Sequence, residues 1–200
     1  EPYWGLWLTG NPGGGGRLVP VFNRQFLQFM AFPDDPGESY SALDFDFDSD
    51  PARLELMSNI YNSDDPDLSA FAEAGGKMIT WHGLADAIVP HGKTVDYYQQ
   101  AADAAGGVDN LREYNRLFLI PGMDHCGILP GPGITSSGFD PLTALEDWLD
   151  TDQAPDTLTI SRAADDSQEA WSRPICAYPD VTTYTGGEWR EASNFSCTAP

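Results

Sequence analysis

Apolar residues return along this chain in two distinct rhythms. Between Val21 and Phe32, Phe22, Phe26, Phe29 and Met30 recur at helical spacing and the run stops before Pro33, which predicts a short amphipathic helix. Asp67 to Ala74 predicts a second short helix, closed by Gly75-Gly76. Lys77 to Trp81 then reads as a brief apolar strand that gives way to a turn at His82-Gly83. Residues 91–105 place Val95, Tyr98, Ala101 and Ala102 on one helical face and end at Gly106-Gly107. Arg116 to Ile120 predicts the next strand, halted by Pro121-Gly122. Asp140 is placed to cap a last helix, with Pro141 at its first position and Leu142, Leu145, Trp148 and Leu149 as its apolar stripe. Strand, helix, strand, helix is the order of a parallel sheet with helices packed on it, so residues 66–200 belong to the α/β class.

Residues 1–65 keep neither rhythm for long. Glu1 to Arg17 combines Tyr3, Trp4 and Trp7 with Gly13-Gly14-Gly15-Gly16, a run unsuited to a helix or strand interior, which predicts a flexible aromatic loop outside the core. Asp34 to Asp50 carries seven acids among turn formers. Asp44, Asp46 and Asp48 alternate there without the central Gly and terminal Glu of an EF-hand, so an acidic solvated loop holding no metal is expected.

Composition narrows the possibilities. With 200 residues, 41% hydrophobic and 12% aromatic, the chain can bury a sizeable core, which excludes disorder throughout. No apolar run approaches the roughly 20 residues that span a bilayer, and residues 1–20 lack the basic start and apolar middle of a signal peptide. The start at Glu1 in place of Met predicts a processed or trimmed product. Against 31 acids stand only 10 Lys and Arg, for a net charge of −21. Such a surface repels phosphate, so neither nucleic acid nor an anionic membrane is expected as partner. The three cysteines, Cys126, Cys176 and Cys197, cannot all pair among themselves; one is a free thiol or bonds outside the chain.

In α/β sheets, sites form at the carboxyl ends of strands. Asp86 lies on the loop after the first predicted strand and His125 on the loop after the second. An acid followed by a histidine on successive loops matches the later members of a triad whose chain order is Ser, Asp, His. His125 would take the serine proton and return it to the leaving group, while Asp86 would fix the imidazole tautomer. The nucleophile's usual setting, Gly-x-Ser-x-Gly between strand and helix, does not occur in the chain. Ser136-Ser137-Gly138 follows His125 and has no strand before it, which sets it aside. Asp124 adjoins His125, but neighbouring side chains diverge, which favours Asp86 as the acid. His82 and His91 stand at no metal-ligand spacing and are assigned structural roles. The alternative from another class is a noncatalytic module, one that keeps an aromatic pocket or serves a structural part without a nucleophile.

Four segments carry a more specific resemblance: Asp65-Pro-Asp-Leu-Ser-Ala-Phe, Gly75-Gly-Lys-Met-Ile-Thr-Trp-His-Gly-Leu-Ala-Asp, Leu117-Phe-Leu-Ile-Pro-Gly-Met-Asp-His-Cys and Arg173-Pro-Ile-Cys-Ala-Tyr-Pro. They resemble the tannase and feruloyl esterase family. The resemblance implies an α/β-hydrolase core interrupted by a lid that carries substrate recognition and a structural calcium. By position, residues 1–65 match the end of that inserted lid domain and residues 66–200 the C-terminal half of the α/β-hydrolase fold. It further implies a secreted serine carboxylesterase acting on esters of aromatic acids such as gallate, hydroxycinnamate or a terephthalate monoester.

The nucleophilic Ser would then come from an N-terminal part that carries a Cys-Ser pair, the family bonding that Cys to the one directly after the catalytic His, here Cys126. Cys176 and Cys197 match the family's C-terminal pair, and disulfides of this kind imply secretion or the periplasm. No cofactor is expected within this chain, because the calcium ligands of the family lie in the part of the lid outside it. Trp7 and Arg17 lie near the positions where the family places a ring-stacking wall and a carboxylate-binding arginine; Tyr3, Trp4 and Phe22 add to the aromatic density.

Overall fold

The computed structural model describes residues 4–11, 14–127, 135–166 and 169–200. The chain divides into two compact units, Glu1–Asp64 and Asp65–Pro200. No helix among the described residues is long and apolar enough to cross a membrane.

In the first unit, Gly5–Thr9 forms a π-helical turn and Trp7 within it is buried, which corrects the expectation of an aromatic loop outside the core. The glycine-rich segment is also tied down: the Asn11 amide donates to the Gly15 carbonyl and the Gly14 amide to the Asn11 carbonyl, both at 3.0 Å. A methyl group at Gly16 would collide with the Gly5 carbonyl oxygen, so close approach rather than looseness explains that glycine. Tyr3 and Gly13 lie outside the described residues.

Helix α1, Leu18–Phe29, begins earlier than its apolar pattern predicts because Pro20 falls in the first turn, where no amide hydrogen is needed. It also ends earlier, at Phe29: the amides of Met30 and Ala31 both turn back to the Phe26 carbonyl, and Ala31 and Phe32 are buried outside the helix. Phe22, Phe26, Phe29 and Met30, the residues of its apolar stripe, are exposed. Phe32 instead packs edge-on against Tyr40, under the Arg53 guanidinium at 4.4 Å. The acidic segment is not wholly solvated. Asp50 is buried, accepting from the Asp46 amide at 3.0 Å and from Arg53 Nη1 at 2.7 Å, and these two bonds hold its carboxyl below the ordinary range. Helix α2, Glu55–Tyr61, follows the turn at Asp50–Leu54 and was not expected from the sequence pattern.

The second unit is built around two parallel strands, β1 (Met78–Gly83) and β2 (Asn115–Ile120), in register from Met78 opposite Asn115 to Gly83 opposite Ile120. Short helix α3, Ser69–Glu73, precedes β1. Helices α4 (His91–Ala104) and α5 (Val108–Arg112) make the crossover. The predicted face of α4 is the one that packs: Tyr98, Ala101 and Ala102 are buried with Leu111 and Leu117, and Val95 lies against them.

β1 runs on through His82 and Gly83, which corrects the turn expected there. Gly83 is required by packing rather than by a turn, since a methyl group on it would collide with the Met123 and Asp124 carbonyl oxygens. The loop after β2 is thus pressed against the end of β1.

Helix α6, Pro141–Thr151, is capped by Asp140, whose Oδ1 accepts the Thr143 amide at 3.1 Å. Trp148 is its buried anchor, while Leu142 and Leu149 are exposed, so the apolar stripe is narrower than expected. Four further strands follow as two antiparallel pairs, β3 (Thr157–Arg162) with β4 (Trp171–Cys176), and β5 (Val181–Tyr184) with β6 (Phe195–Thr198). A bridge from Ala177 to Phe118 and a bond from the Tyr178 amide to the Leu117 carbonyl lay the segment after β4 along β2. A disulfide joins Cys176 at the end of β4 to Cys197 in β6.

Candidate active site

The loop that leaves β1 carries Asp86, and the loop that leaves β2 carries His125. They are fastened together by backbone bonds, from the Leu84 amide to the Ile120 carbonyl and from the Ala85 amide to the Met123 carbonyl, both at 2.9 Å. Across this junction the Asp86 carboxylate meets the imidazole: its Oδ2 lies 2.8 Å from His125 Nδ1. A carboxylate can only accept, so Nδ1 carries the hydrogen in this pair. The other oxygen, Oδ1, accepts the amides of Ile88 and Val89 at 2.9 Å each, which fixes the plane of the carboxylate within its own loop.

Only 5% of the Asp86 side chain is exposed, against 31% for His125, so the acid is shielded while the imidazole reaches solvent. Burial pushes the Asp86 carboxyl up, but the Val89 amide, the His125 ring and the Ile88 amide outweigh it and hold the group below the ordinary carboxylate value. A buried, hydrogen-bonded carboxylate that stays ionised against a histidine can set the imidazole tautomer and stabilise the imidazolium.

The neighbouring histidines differ in their parts. His82, at the end of β1, brings Nδ1 to 2.8 Å from Thr94 Oγ1 and Nε2 to 3.0 Å from the Val89 carbonyl. Its Nε2 also lies 3.5 Å from Asp86 Oδ2. Sequence spacing assigned it a structural role, yet it touches the acid's loop; the signal was its place four residues before Asp86. His91 packs its ring edge against His82, with centroids 6.5 Å apart.

Cys126 follows His125 in a left-handed conformation, φ 57°, is exposed, and forms no disulfide among the described residues. Ser137, set aside as a nucleophile, holds its hydroxyl 2.8 Å from that of Thr135. A cavity of about 460 Å³ walled by Leu84, Leu119, Pro121, Tyr178 and Val181 lies beside these loops, but neither Asp86 nor His125 lines it.

Trp7 and Arg17 belong to the first unit. Trp7 is 6% exposed. Arg17 is exposed at the start of α1 in a left-handed conformation, φ 65°, with its aliphatic stem over Gly10, and it makes no ion pair among the described residues. No group of three or more His, Cys, Asp or Glu able to hold a metal occurs among the described residues.

A family profile described as tannase and feruloyl esterase matches residues 2–198. The chain is 33% identical over 216 residues to mono(2-hydroxyethyl) terephthalate hydrolase of Piscinibacter sakaiensis, covering 98% of this chain and 35% of that protein. It is 34% identical over 145 residues to a probable feruloyl esterase of Arthroderma benhamiae, covering 72% of this chain and 27% of the relative. Among solved structures, an esterase from Aspergillus oryzae superposes with a TM-score of 0.70 at 25% identity, over 86% of this chain and 36% of the other. Feruloyl esterase B from the same organism shares the fold with a TM-score of 0.72 at 22% identity, over 98% of this chain and 39% of the other. The chain therefore spans about a third of the length of the curated relatives it matches, between 27% and 39% of three of them.

Proposed function

The chain belongs to the tannase and feruloyl esterase family, and from that premise we propose that it supplies the acid and base of a serine carboxylesterase that cleaves esters of aromatic acids. The observation that carries this reading is the 2.8 Å contact between Asp86 Oδ2 and His125 Nδ1 at the carboxyl ends of two parallel strands. His125, held by Asp86 through Nδ1, takes the proton of a serine hydroxyl at Nε2 as the serine oxygen attacks the ester carbonyl. It then gives that proton to the departing alcohol, leaving an acyl-enzyme. Water attacks the acyl carbon next, and the same nitrogen takes and returns its proton as the acid is released.

The serine belongs to a part of the protein outside these 200 residues. Cys126, exposed directly beside His125, would bond a cysteine next to that serine and so tie nucleophile to base. Residues 1–65 are read as the end of the lid. Within it, the exposed fork of Arg17 suits a substrate carboxylate and Trp7 contributes to an aromatic wall. The structural calcium implied by the family is assigned to lid residues outside this chain, and no catalytic step depends on it. The Cys176–Cys197 disulfide supports secretion or a periplasmic site, where such bonds persist.

Serine-directed labelling of the complete protein with a fluorophosphonate tests the reading. It should mark one serine outside this chain, on a peptide released from Cys126 by reductant, and labelling should fall sharply in His125→Ala. Absence of labelling, or labelling of a serine within this chain, would overturn it.

A further inference from the structure

His82 stands in the middle of a continuous polar chain that runs from helix α4 to the imidazole of His125. Thr94 Oγ1 lies 2.8 Å from His82 Nδ1, and His82 Nε2 lies 3.0 Å from the Val89 carbonyl. The Val89 amide donates to Asp86 Oδ1 at 2.9 Å, and Asp86 Oδ2 accepts from His125 Nδ1 at 2.8 Å. The tautomer follows from the partners. A carbonyl oxygen only accepts, so His82 Nε2 carries the hydrogen; in the neutral ring Nδ1 is then the acceptor and the Thr94 hydroxyl its donor.

We propose that His82 is a positioning residue for the Asp86–His125 pair, its Nε2–H closing the acid's loop onto the end of β1. This rests on Asp86 and His125 being the acid and base of ester hydrolysis.

Val89 is gripped from both sides of its peptide chemistry, its carbonyl by His82 and its amide by Asp86, so the orientation of the Asp86 carboxylate depends on where Val89 is held. The same Nε2 lies 3.5 Å from Asp86 Oδ2, alongside the hydrogen bond from His125. His82 and Asp86 side chains are 11% and 5% exposed, so water has little access to come between these two, whereas Val89 is itself exposed. Loss of the His82 donor lets Val89 and the carboxylate turn together, and the imidazole follows. Such a displacement affects the chemical step more than substrate binding, and one of about an ångström lowers turnover roughly 10- to 100-fold.

The two side-chain amides separate the roles of the ring nitrogens, because glutamine brings its NH₂ to the place of Nε2 and asparagine only to that of Nδ1. In the complete protein, with methyl ferulate as the probe ester, His82→Asn and His82→Phe should lower kcat roughly 10- to 100-fold with KM within about threefold. His82→Gln should restore most of kcat. Nitrogen-15 spectra should show His82 protonated at Nε2 and bare at Nδ1. Thr94→Val, which leaves β1 unaltered, should lower kcat less but in the same direction.

Full kcat in His82→Asn, a KM effect without a kcat effect, no rescue by glutamine, or a proton on Nδ1 would each overturn the proposal. Asp86→Asn run in parallel separates the two layers: if it retains activity the catalytic reading itself fails, and if it is inactive while His82→Asn is not, only the positioning role fails.

Discussion

Asp86 Oδ2 accepts the Nδ1 hydrogen of His125 at 2.8 Å although 39 residues separate them. The contact exists because β1 and β2 are parallel neighbours in matched register, so that both strands deliver their following loops to the same edge. The crossover through α4 and α5 takes up the intervening residues.

Acid should weaken the second unit partly through Asp86. Its folded carboxyl titrates below the ordinary 3.8, so its contribution is complete above that value and is lost as pH falls through the depressed folded value. Denaturant melts taken at decreasing pH should show a steeper acid loss of stability for the natural chain than for Asp86→Asn. Parallel curves would contradict this.

Alkali should act through Tyr98. Burial raises its phenol from 10.0 to about 12, so the stabilisation is present below the ordinary value and fades as pH climbs through the interval. Tyr98→Phe removes that dependence but also the hydroxyl's 2.8 Å bond to the Asn115 carbonyl, at a cost of about 1 kcal/mol near neutrality. Phenolate absorbance during an alkaline titration should show one tyrosine ionising late in the natural chain and not in the variant.

Gly83→Ala should cost about 1–3 kcal/mol, since the new methyl meets the Met123 and Asp124 carbonyl oxygens and must drive the β2 loop off β1. Because that loop carries His125, ester hydrolysis should fall with it. Denaturant melts and kinetics on the same preparation check both; an unchanged midpoint with unchanged turnover would refute the packing argument.

Replacing Cys176 and Cys197 together by Ala should lower stability by about 3 kcal/mol, the chain-entropy value for a closed loop with a sequence separation of 21. The effect should appear as a shift of the melting midpoint. The bond lies in the β4 to β6 tail, so turnover below the melt should change little.

Much of the second unit was legible from pattern. Tyr98, Ala101 and Ala102 fall on one helical face and that face is buried; Asp140 and Pro141 start α6 as their chemistry dictates. Other features were hidden for physical reasons. Gly83 looks like turn punctuation, but a glycine that lets another backbone approach leaves the same mark. β4 contains Pro174, which argues against a strand, yet among the described residues β4 pairs with β3 alone, and a missing amide hydrogen is tolerated at such an edge. Trp7 sits among glycines that suggest a loop, and the bonds of Asn11 to Gly14 and Gly15 that order this segment follow no periodicity.

The contact between Asp86 and His125 was legible because each follows a strand, whereas the place of His82 beside them was not, because its partners are the Thr94 hydroxyl and a backbone carbonyl that no motif records.

The most direct measurement is steady-state hydrolysis of methyl ferulate by the complete protein carrying Asp86→Asn or His125→Ala, with a thermal melt of each variant alongside. The account predicts that turnover falls by roughly three to four orders of magnitude in both while each still unfolds cooperatively. Near-normal turnover in either folded variant would contradict it.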